Sequence, residues 1–397
     1  MTDSGQIIEK TLRLGAFNYL PKEVVAERAE GSFVYDPEGK RYFDMLSAYS
    51  ALNFGHRHPE IVAAAIDQLG KVTLTSRAFH NAILGDFFES LCGITGKNMI
   101  LPMNTGAEAV ETALKTARRW GVDKKRIPDG SQEIIVCENN FHGRTISIIS
   151  MSTDPSARRG FGPFTPGFKV VKYGDAAALA AAVTGNTVAF LAEPIQGEAG
   201  VIIPPDGYLK AAREICTREN ILFIADEVQT GLARTGRMFA CDHEGVEPDI
   251  YVLGKALGGG IMPVSAIAAD KDILSVFDPG SHGSTFGGNP LACAVAIKAI
   301  EILVRDRYAD MASEKGAYFM ERLRQIKNDE ILDIRGKGLL IGVEFTCSAA
   351  PYVKELIEAG ILAKETHENT IRFAPPITIG TGELKEACAI IEKVLTK

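Results

Sequence analysis

The chain has 397 residues, enough for two or three structural units and a large buried core. Its 43 Lys and Arg stand against 50 Asp and Glu, and the net charge of −7 argues against nucleic-acid or anionic-membrane binding. Apolar residues make up 46%, yet no apolar run approaches a membrane span, the N-terminus lacks a leader pattern, and seven Cys never fall at CxxC spacing. A cytoplasmic protein without membrane segments, disulfides or a metal centre is therefore expected.

In chain order, residues 33–43 read as a hairpin whose turn, Asp36-Pro37-Glu38-Gly39, places Pro at the favoured second position. Asn104-Thr105-Gly106-Ala107-Glu108 opens a helix with Val110, Ala113, Leu114, Ala117 and Trp120 on its inner face. Thr105 and Glu108 have the spacing of a capping box. The glycine in the first turn also lets a phosphate approach the exposed N–H groups, so capping and anion binding both stay open. Residues 134–137, 188–192, 221–225 and 250–253 are β-rich and apolar throughout, which suits strands of a parallel sheet covered on both faces. Residues 207–219 between two of them read as a helix. Beyond residue 290 the texture changes: helices over 292–304 and 311–326, strands over 339–345 and 371–373, and a last helix over 383–395. The whole predicts an α/β chain in three parts: an N-terminal segment at 1–50, a large domain with a mostly parallel central sheet at 51–300, and a small α+β domain at 301–397.

Three predicted strands run straight into a chemically capable residue, Glu193, Asp226 and Lys255. Open α/β sheets place their sites beyond the carboxyl ends of the strands. Familiar signatures fail nearby. The Asp226-Glu227 pair has no GxxxxGK[ST] partner, no GxGxxG follows a strand, no GxSxG exists, and His56-Arg57-His58 is not a metal pair on a helix. Lys255 stands before Ala256-Leu257-Gly258-Gly259-Gly260, and a lysine desolvated in such a cleft can form a Schiff base. Asp226 can partner a pyridinium nitrogen. With an anion-binding helix start, the two describe a pyridoxal phosphate site. Phe141 and Arg144, in Phe141-His142-Gly143-Arg144-Thr145, offer a ring to stack and a guanidinium to clamp a carboxylate. The cluster at 283–290 reads as a flexible turn or as a further phosphate donor, and Arg372 is a charge embedded in an apolar strand.

The run from Leu222 to Gly236, with Asp226, Gln229 and Thr230, followed by Gly254-Lys255-Ala256-Leu257, resembles the cofactor signature of class III pyridoxal-phosphate aminotransferases. The resemblance extends from Gly15 to the C-terminus. Within the class it is greatest to the ornithine δ-aminotransferase branch, through Gly15-Ala16-Phe17-Asn18-Tyr19, Ser47-Ala48-Tyr49-Ser50-Ala51, Glu193-Pro194-Ile195-Gln196-Gly197-Glu198 and the stretch 371–376. It implies a fold-type I transferase with pyridoxal 5'-phosphate as cofactor. Lys255 would hold the cofactor, Asp226 would keep its ring nitrogen protonated, Gln229 would lie near the ring oxygen, and Phe141 would stack on the ring. Gly106 and Ala107 would bind the phosphate, joined by Thr285 from the neighbouring subunit of a homodimer.

For substrates the resemblance implies L-ornithine and 2-oxoglutarate. Tyr19 and Arg144 would hold the α-amino acid end, with Tyr49 among the substrate-binding residues, and Glu198 would cover Arg372 until 2-oxoglutarate arrives. His142 stands where relatives often carry Trp. Activity on N-acetylornithine or 4-aminobutyrate, or cofactor binding without catalysis, are the alternatives.

Overall fold

The computed structural model describes residues 3–396. A helix at Ser4–Leu14 buries none of its residues and is tied down through Ser4, whose amide and hydroxyl donate to Glu38 at 2.9 and 2.6 Å. Strands β1 (Arg28–Glu30), β2 (Phe33–Tyr35) and β3 (Arg41–Asp44) follow as an antiparallel meander. The β2–β3 hairpin is the one predicted, and the Gly39 N–H closes its turn by donating to the Asp36 carbonyl at 3.0 Å.

The central sheet has seven strands: β4 (Met99–Met103), β5 (Glu133–Cys137), β6 (Phe168–Val171), β7 (Thr187–Ala192), β8 (Leu222–Asp226), β9 (Ile250–Leu253) and β10 (Ser265–Ala269). Their spatial order is β4-β10-β9-β8-β7-β5-β6. All neighbours from β9 to β6 are parallel, and β10 runs antiparallel to β9 and β4. Every residue of β7 and β8 is buried. Their side chains alternate between two cores: Leu191 and Ile224 enter one, Phe190 and Phe223 the other. That is why these strands read as continuous apolar runs. Strand β10, Ser265-Ala266-Ile267-Ala268-Ala269, was not predicted, because its small residues lack the β-branched bulk that marks a strand.

The helix at Gly106–Asp123 presents its expected face, Val110, Ala113, Leu114, Ala117 and Trp120, to the core shared with Leu191 and Ile224. Its late glycine sets how closely it approaches. A Cβ at Gly121 would lie 2.2 Å from Cγ1 of Val188 in β7. Gly121→Ala is expected to overpack this contact and to cost about 1–3 kcal/mol, read as a lower denaturant midpoint with unchanged slope.

The C-terminal part contributes helices at Pro290–Arg305 and Tyr308–Arg324, then strands β11 (Ile331–Lys337), β12 (Leu340–Phe345), β13 (Ile361–Leu362), β14 (Lys364–Thr366) and β15 (Thr370–Phe373), and a helix at Thr381–Leu395. Strands β11-β12-β15-β14 form an antiparallel sheet, while β13 pairs in parallel with β3. The two ends of the chain thus share a sheet, which carries β14 to the N-terminal segment: Lys22 Nζ meets Glu365 Oε1 at 2.6 Å. No helix among the described residues is long and apolar enough to cross a membrane.

Candidate active site

Strands β7, β8 and β9 are parallel neighbours, so the residues at and beyond their carboxyl ends emerge along one edge of the sheet. Glu193 follows β7, Asp226 ends β8, and Lys255 lies two residues beyond β9. Strand β4 points the same way, because it and β9 both run antiparallel to β10, and it delivers the helix start at Gly106 to the same edge. Lys255 occupies the left-handed region, with φ of +46°, an uncommon conformation for a side chain with a Cβ and one found where surrounding structure enforces it.

Two cavities meet here. One, of about 160 Å³, is lined by Gly106, Ala107, Phe141, Asp226, Gln229 and Lys255, with His142, Glu193 and Val228 among the other walls. The second, of about 200 Å³, is lined by Tyr19, Tyr49, Phe141, Arg144, Glu198, Lys255, Lys364, Glu365 and Arg372. Phe141 and Lys255 belong to both. All the predicted site residues but one line these cavities. Thr285 is exposed and lines neither. Tyr49 reaches the second cavity from a turn, Ser47–Ser50, whose four residues all have positive φ.

The helix start resolves the two readings of Thr105. Thr105 Oγ1 accepts from the Glu108 N–H at 3.2 Å, and Glu108 Oε2 accepts from the N–H groups of Thr105 and Asn104, each at 2.9 Å. This capping box leaves the N–H groups of Gly106 and Ala107 without a side-chain partner, facing the first cavity at the positive end of the helix dipole. The capping box therefore does not exclude an anion at this helix start, because the two use different donors.

Asp226 is held from two sides. Its Oδ1 accepts from the Val228 N–H at 3.1 Å, and its Oδ2 lies 2.6 Å from Nδ1 of His142. Burial opposes a charge on His142, but the hydrogen bond and field of Asp226, with Glu193 beyond, raise its pKa above the ordinary value. The contact gives the buried Asp226 carboxylate a second partner in a dry place. Sequence reading placed His142 beside the ring-stacking Phe and did not foresee this contact, because only tertiary structure turns it toward Asp226, 84 positions away. Glu227, the second acid of that pair, turns away and accepts from Thr230 Oγ1 and, at 2.9 Å, from the Cys241 N–H.

Desolvation lowers the pKa of Lys255, partly opposed by the carboxylates of Glu198, Asp226 and Glu193, so its amine loses its proton more readily than an exposed lysine. Burial would raise Glu198, but Arg372 and Lys255 beside it, with hydrogen bonds from Arg372 and Gln229, bring it below its ordinary value. Arg372 Nη1 meets Glu198 Oε1 at 2.6 Å and Gln229 Oε1 at 3.2 Å, and Gln229 Nε2 donates to Glu198 at 3.1 Å. Arg144 is exposed, lies 5.4 Å from the Phe141 ring centre, and forms no ion pair among the described residues.

Glu193 accepts from the Phe141 N–H at 2.9 Å, and burial raises its pKa from 4.5 to about 7. A raised carboxyl keeps its proton in the folded chain after the unfolded chain has lost it, so this group's contribution to stability falls as pH rises from 4.5 to about 7. Glu193→Gln cannot ionise. Its melting temperature, measured without cofactor, is expected to fall less between about pH 5 and about pH 8 than that of the parent.

The donor set fits pyridoxal 5'-phosphate. Two open N–H groups at a helix start suit the phosphate, a desolvated amine suits the aldehyde carbon, and a buried carboxylate suits the ring nitrogen, with Phe141 and Val228 as walls. A Cβ at Gly143, whose φ is +128°, would come within 2.9 Å of Ala107 Cβ, so a side chain there would crowd the phosphate end.

The profile of the family Aminotransferase class-III matches residues 15–395. The chain is 60% identical over 395 residues to an ornithine aminotransferase of Brevibacillus brevis, covering 100% of this chain and 99% of that protein. It is 58% identical over 395 residues to one of Exiguobacterium sp., covering 100% and 98%. Among solved structures, the ornithine aminotransferase of Toxoplasma gondii matches with a TM-score of 0.98 at 43% identity, covering 100% of this chain and 95% of that one. The acetylornithine aminotransferase of Elizabethkingia anophelis matches with a TM-score of 0.91 at 46% identity, covering 100% and 99%. With this site at the carboxyl edge of a mostly parallel sheet, the chain belongs to the class III aminotransferases, enzymes that depend on pyridoxal 5'-phosphate.

Proposed function

We propose that the protein transfers the δ-amino group of L-ornithine to 2-oxoglutarate, giving L-glutamate 5-semialdehyde and L-glutamate. The observation that carries this reading is the second cavity: an uncovered arginine, Arg144, at its outer side and a covered one, Arg372, beside Lys255. An ω-amine must reach Lys255 while the carboxylate of the same molecule stays away. Arg372 held at 2.6 Å by Glu198 offers no site for that carboxylate near the chemistry, whereas Arg144, with Tyr19 and Tyr49 nearby, offers one farther out. For 2-oxoglutarate the same pair opens. Arg372 takes the α-carboxylate and Arg144 the distal one. A buried arginine is costly to leave unpaired, so an exchangeable carboxylate partner serves both halves of the reaction.

When bound, pyridoxal 5'-phosphate supplies a conjugated ring that takes up the electron pair left as a proton leaves the carbon beside the substrate nitrogen. The amine of Lys255 accepts and returns that proton as general acid–base, from a position that lines both cavities. Asp226, backed by His142, keeps a proton on the ring nitrogen. Gly106 and Ala107 hold the phosphate, and Gln229 lies toward the ring oxygen while linking to the Glu198–Arg372 pair. Phe141, on the cavity wall, would stack on the ring.

We assign the active unit as a homodimer. Thr285 and Phe286 lie exposed on one loop, and Phe17, Phe79 and Leu20 are exposed elsewhere, apolar surface of the kind a partner subunit covers. Thr285 of each subunit then reaches the partner's phosphate site. The free thiols Cys137, Cys216, Cys241 and Cys293 suit a reducing compartment, and we assign the protein to the cytoplasm.

The test is a donor panel: L-ornithine, N-acetylornithine and 4-aminobutyrate, each with 2-oxoglutarate, read by trapping the semialdehyde and by L-glutamate formation. L-ornithine is expected to have the highest kcat/KM. A higher value for either other donor would overturn the reading.

A further inference from the structure

Glu365 was not among the residues expected in the site, yet it lines the second cavity together with Tyr19, Arg144, Glu198 and Lys255. It lies in β14, the short strand that the shared end-to-end sheet carries to the N-terminal segment. Its two oxygens are used differently. Oε1 binds Lys22 at 2.6 Å, which fastens the segment bearing Tyr19 to the cavity wall. Oε2 is buried and has no hydrogen-bond partner. A carboxylate oxygen withdrawn from water without a donor is costly, and such a group in a binding cavity calls for a donor from the ligand.

The other charges of the cavity say which donor. Glu198 is engaged by Arg372 and Gln229, and Lys364 Nζ lies 3.1 Å from the Tyr49 hydroxyl. Arg144 has no ion pair among the described residues. Both donors to Glu198 meet its Oε1 within the Arg372 ion pair, so the guanidinium of Arg144 and, outside that pair, the unpartnered Oε2 of Glu365 form the complement of a zwitterionic α-amino acid head. We propose that Glu365 is a specificity-determining residue whose Oε2 accepts a hydrogen bond from the α-ammonium of the diamino acid while Arg144 takes its α-carboxylate. This inference rests on the ornithine reading above and deepens it. An acylated α-nitrogen carries no charge for Glu365, and an ω-amino acid without an α-nitrogen leaves Oε2 unpaired. The carboxylate therefore selects free diamino acids over both.

The test compares L-ornithine with 5-aminopentanoate, the same chain without the α-ammonium, in the holoenzyme. The readouts are kcat/KM for each donor and the calorimetric Kd of L-ornithine for the holoenzyme with its cofactor already aminated, which cannot take up a second amine. Glu365→Gln keeps the shape and removes the charge. It is expected to lower the L-ornithine to 5-aminopentanoate ratio of kcat/KM by roughly 10- to 100-fold, the worth of one charge-assisted hydrogen bond, and to weaken L-ornithine binding in parallel. Lys22→Met removes the tether and leaves the carboxylate, and is expected to keep the ratio within about threefold of the parent. A ratio unchanged in Glu365→Gln, or lowered equally in Lys22→Met, overturns the proposal. If the unaltered enzyme does not turn over L-ornithine, the functional reading falls and this inference with it. If it does and the ratio stays, only the inference falls.

Discussion

Replacing Lys255 by Ala is expected to lower turnover of L-ornithine with 2-oxoglutarate by about 10⁴-fold, the upper range for losing a positioned general acid–base. The size follows from placement. Lys255 lines both cavities, and no other amine does: Lys364 lines only the outer one and lies 3.1 Å from the Tyr49 hydroxyl. Desolvation lowers its pKa, so the free amine forms more readily than at an exposed lysine, and nothing nearby substitutes for it. The fold is expected to survive, since truncation removes a side chain that projects into a cavity, and the melting curve of the variant checks this. A small primary amine added to the solution is expected to restore part of the proton-transfer rate in Lys255→Ala and to leave the parent unaffected. Turnover within tenfold of the parent would exclude Lys255 from the proton transfer.

Asp226→Asn is the second large effect, an expected loss of about 10²- to 10³-fold in the half-reaction with L-ornithine, typical for one preorganised electrostatic group. Asn can keep the contact with the Val228 N–H but brings no charge. Without that charge the buried imidazole of His142 loses the main influence that holds its proton and keeps only the field of Glu193, while burial lowers its pKa. Two measurements therefore move together. The single-turnover rate falls, and the ring nitrogens of His142, followed by nuclear magnetic resonance, titrate below the ordinary histidine value in the variant and above it in the parent. A rate loss below tenfold, or an unaltered His142 titration, would sink the argument.

In the proposed mechanism the two effects differ in kind. Lys255 would act on a substrate atom, so its loss would remove a chemical step. Asp226 would act through the cofactor ring and His142 through Asp226, which would make His142 a positioning residue. The links between Gln229, Glu198 and Arg372 join the ring side of the site to the substrate side, which places the choice of carboxylate beside the chemistry.

Several elements were legible in the residues alone because their cause is local. Continuous apolar runs at β5, β7, β8 and β9 reflect burial on both faces, and Thr105 with Glu108 is a capping box at its own spacing. The placement of Asp226 and Lys255 after such strands put them at one sheet edge by topology. What stayed hidden depends on meetings between distant segments. Strand β10 is recognisable only through its neighbours β4 and β9, since Ser265-Ala266-Ile267-Ala268-Ala269 has little β signature of its own. His142 reaches Asp226 across 84 positions, and Glu365 faces the cavity because β13 joins β3 and carries β14 to Lys22, 343 positions away in sequence.

The sequence by itself determined the class of chemistry: length, acidic balance and scattered cysteines excluded other classes, while Lys255 and Asp226 after buried strands, with the family motifs around them, pointed to an electron-sink cofactor. Only the tertiary structure decided which charges are paired. Whether an arginine such as Arg372 is covered, or a carboxylate oxygen such as that of Glu365 is left open, is set by distances of a few ångströms between segments hundreds of residues apart, where desolvation magnifies each pairing.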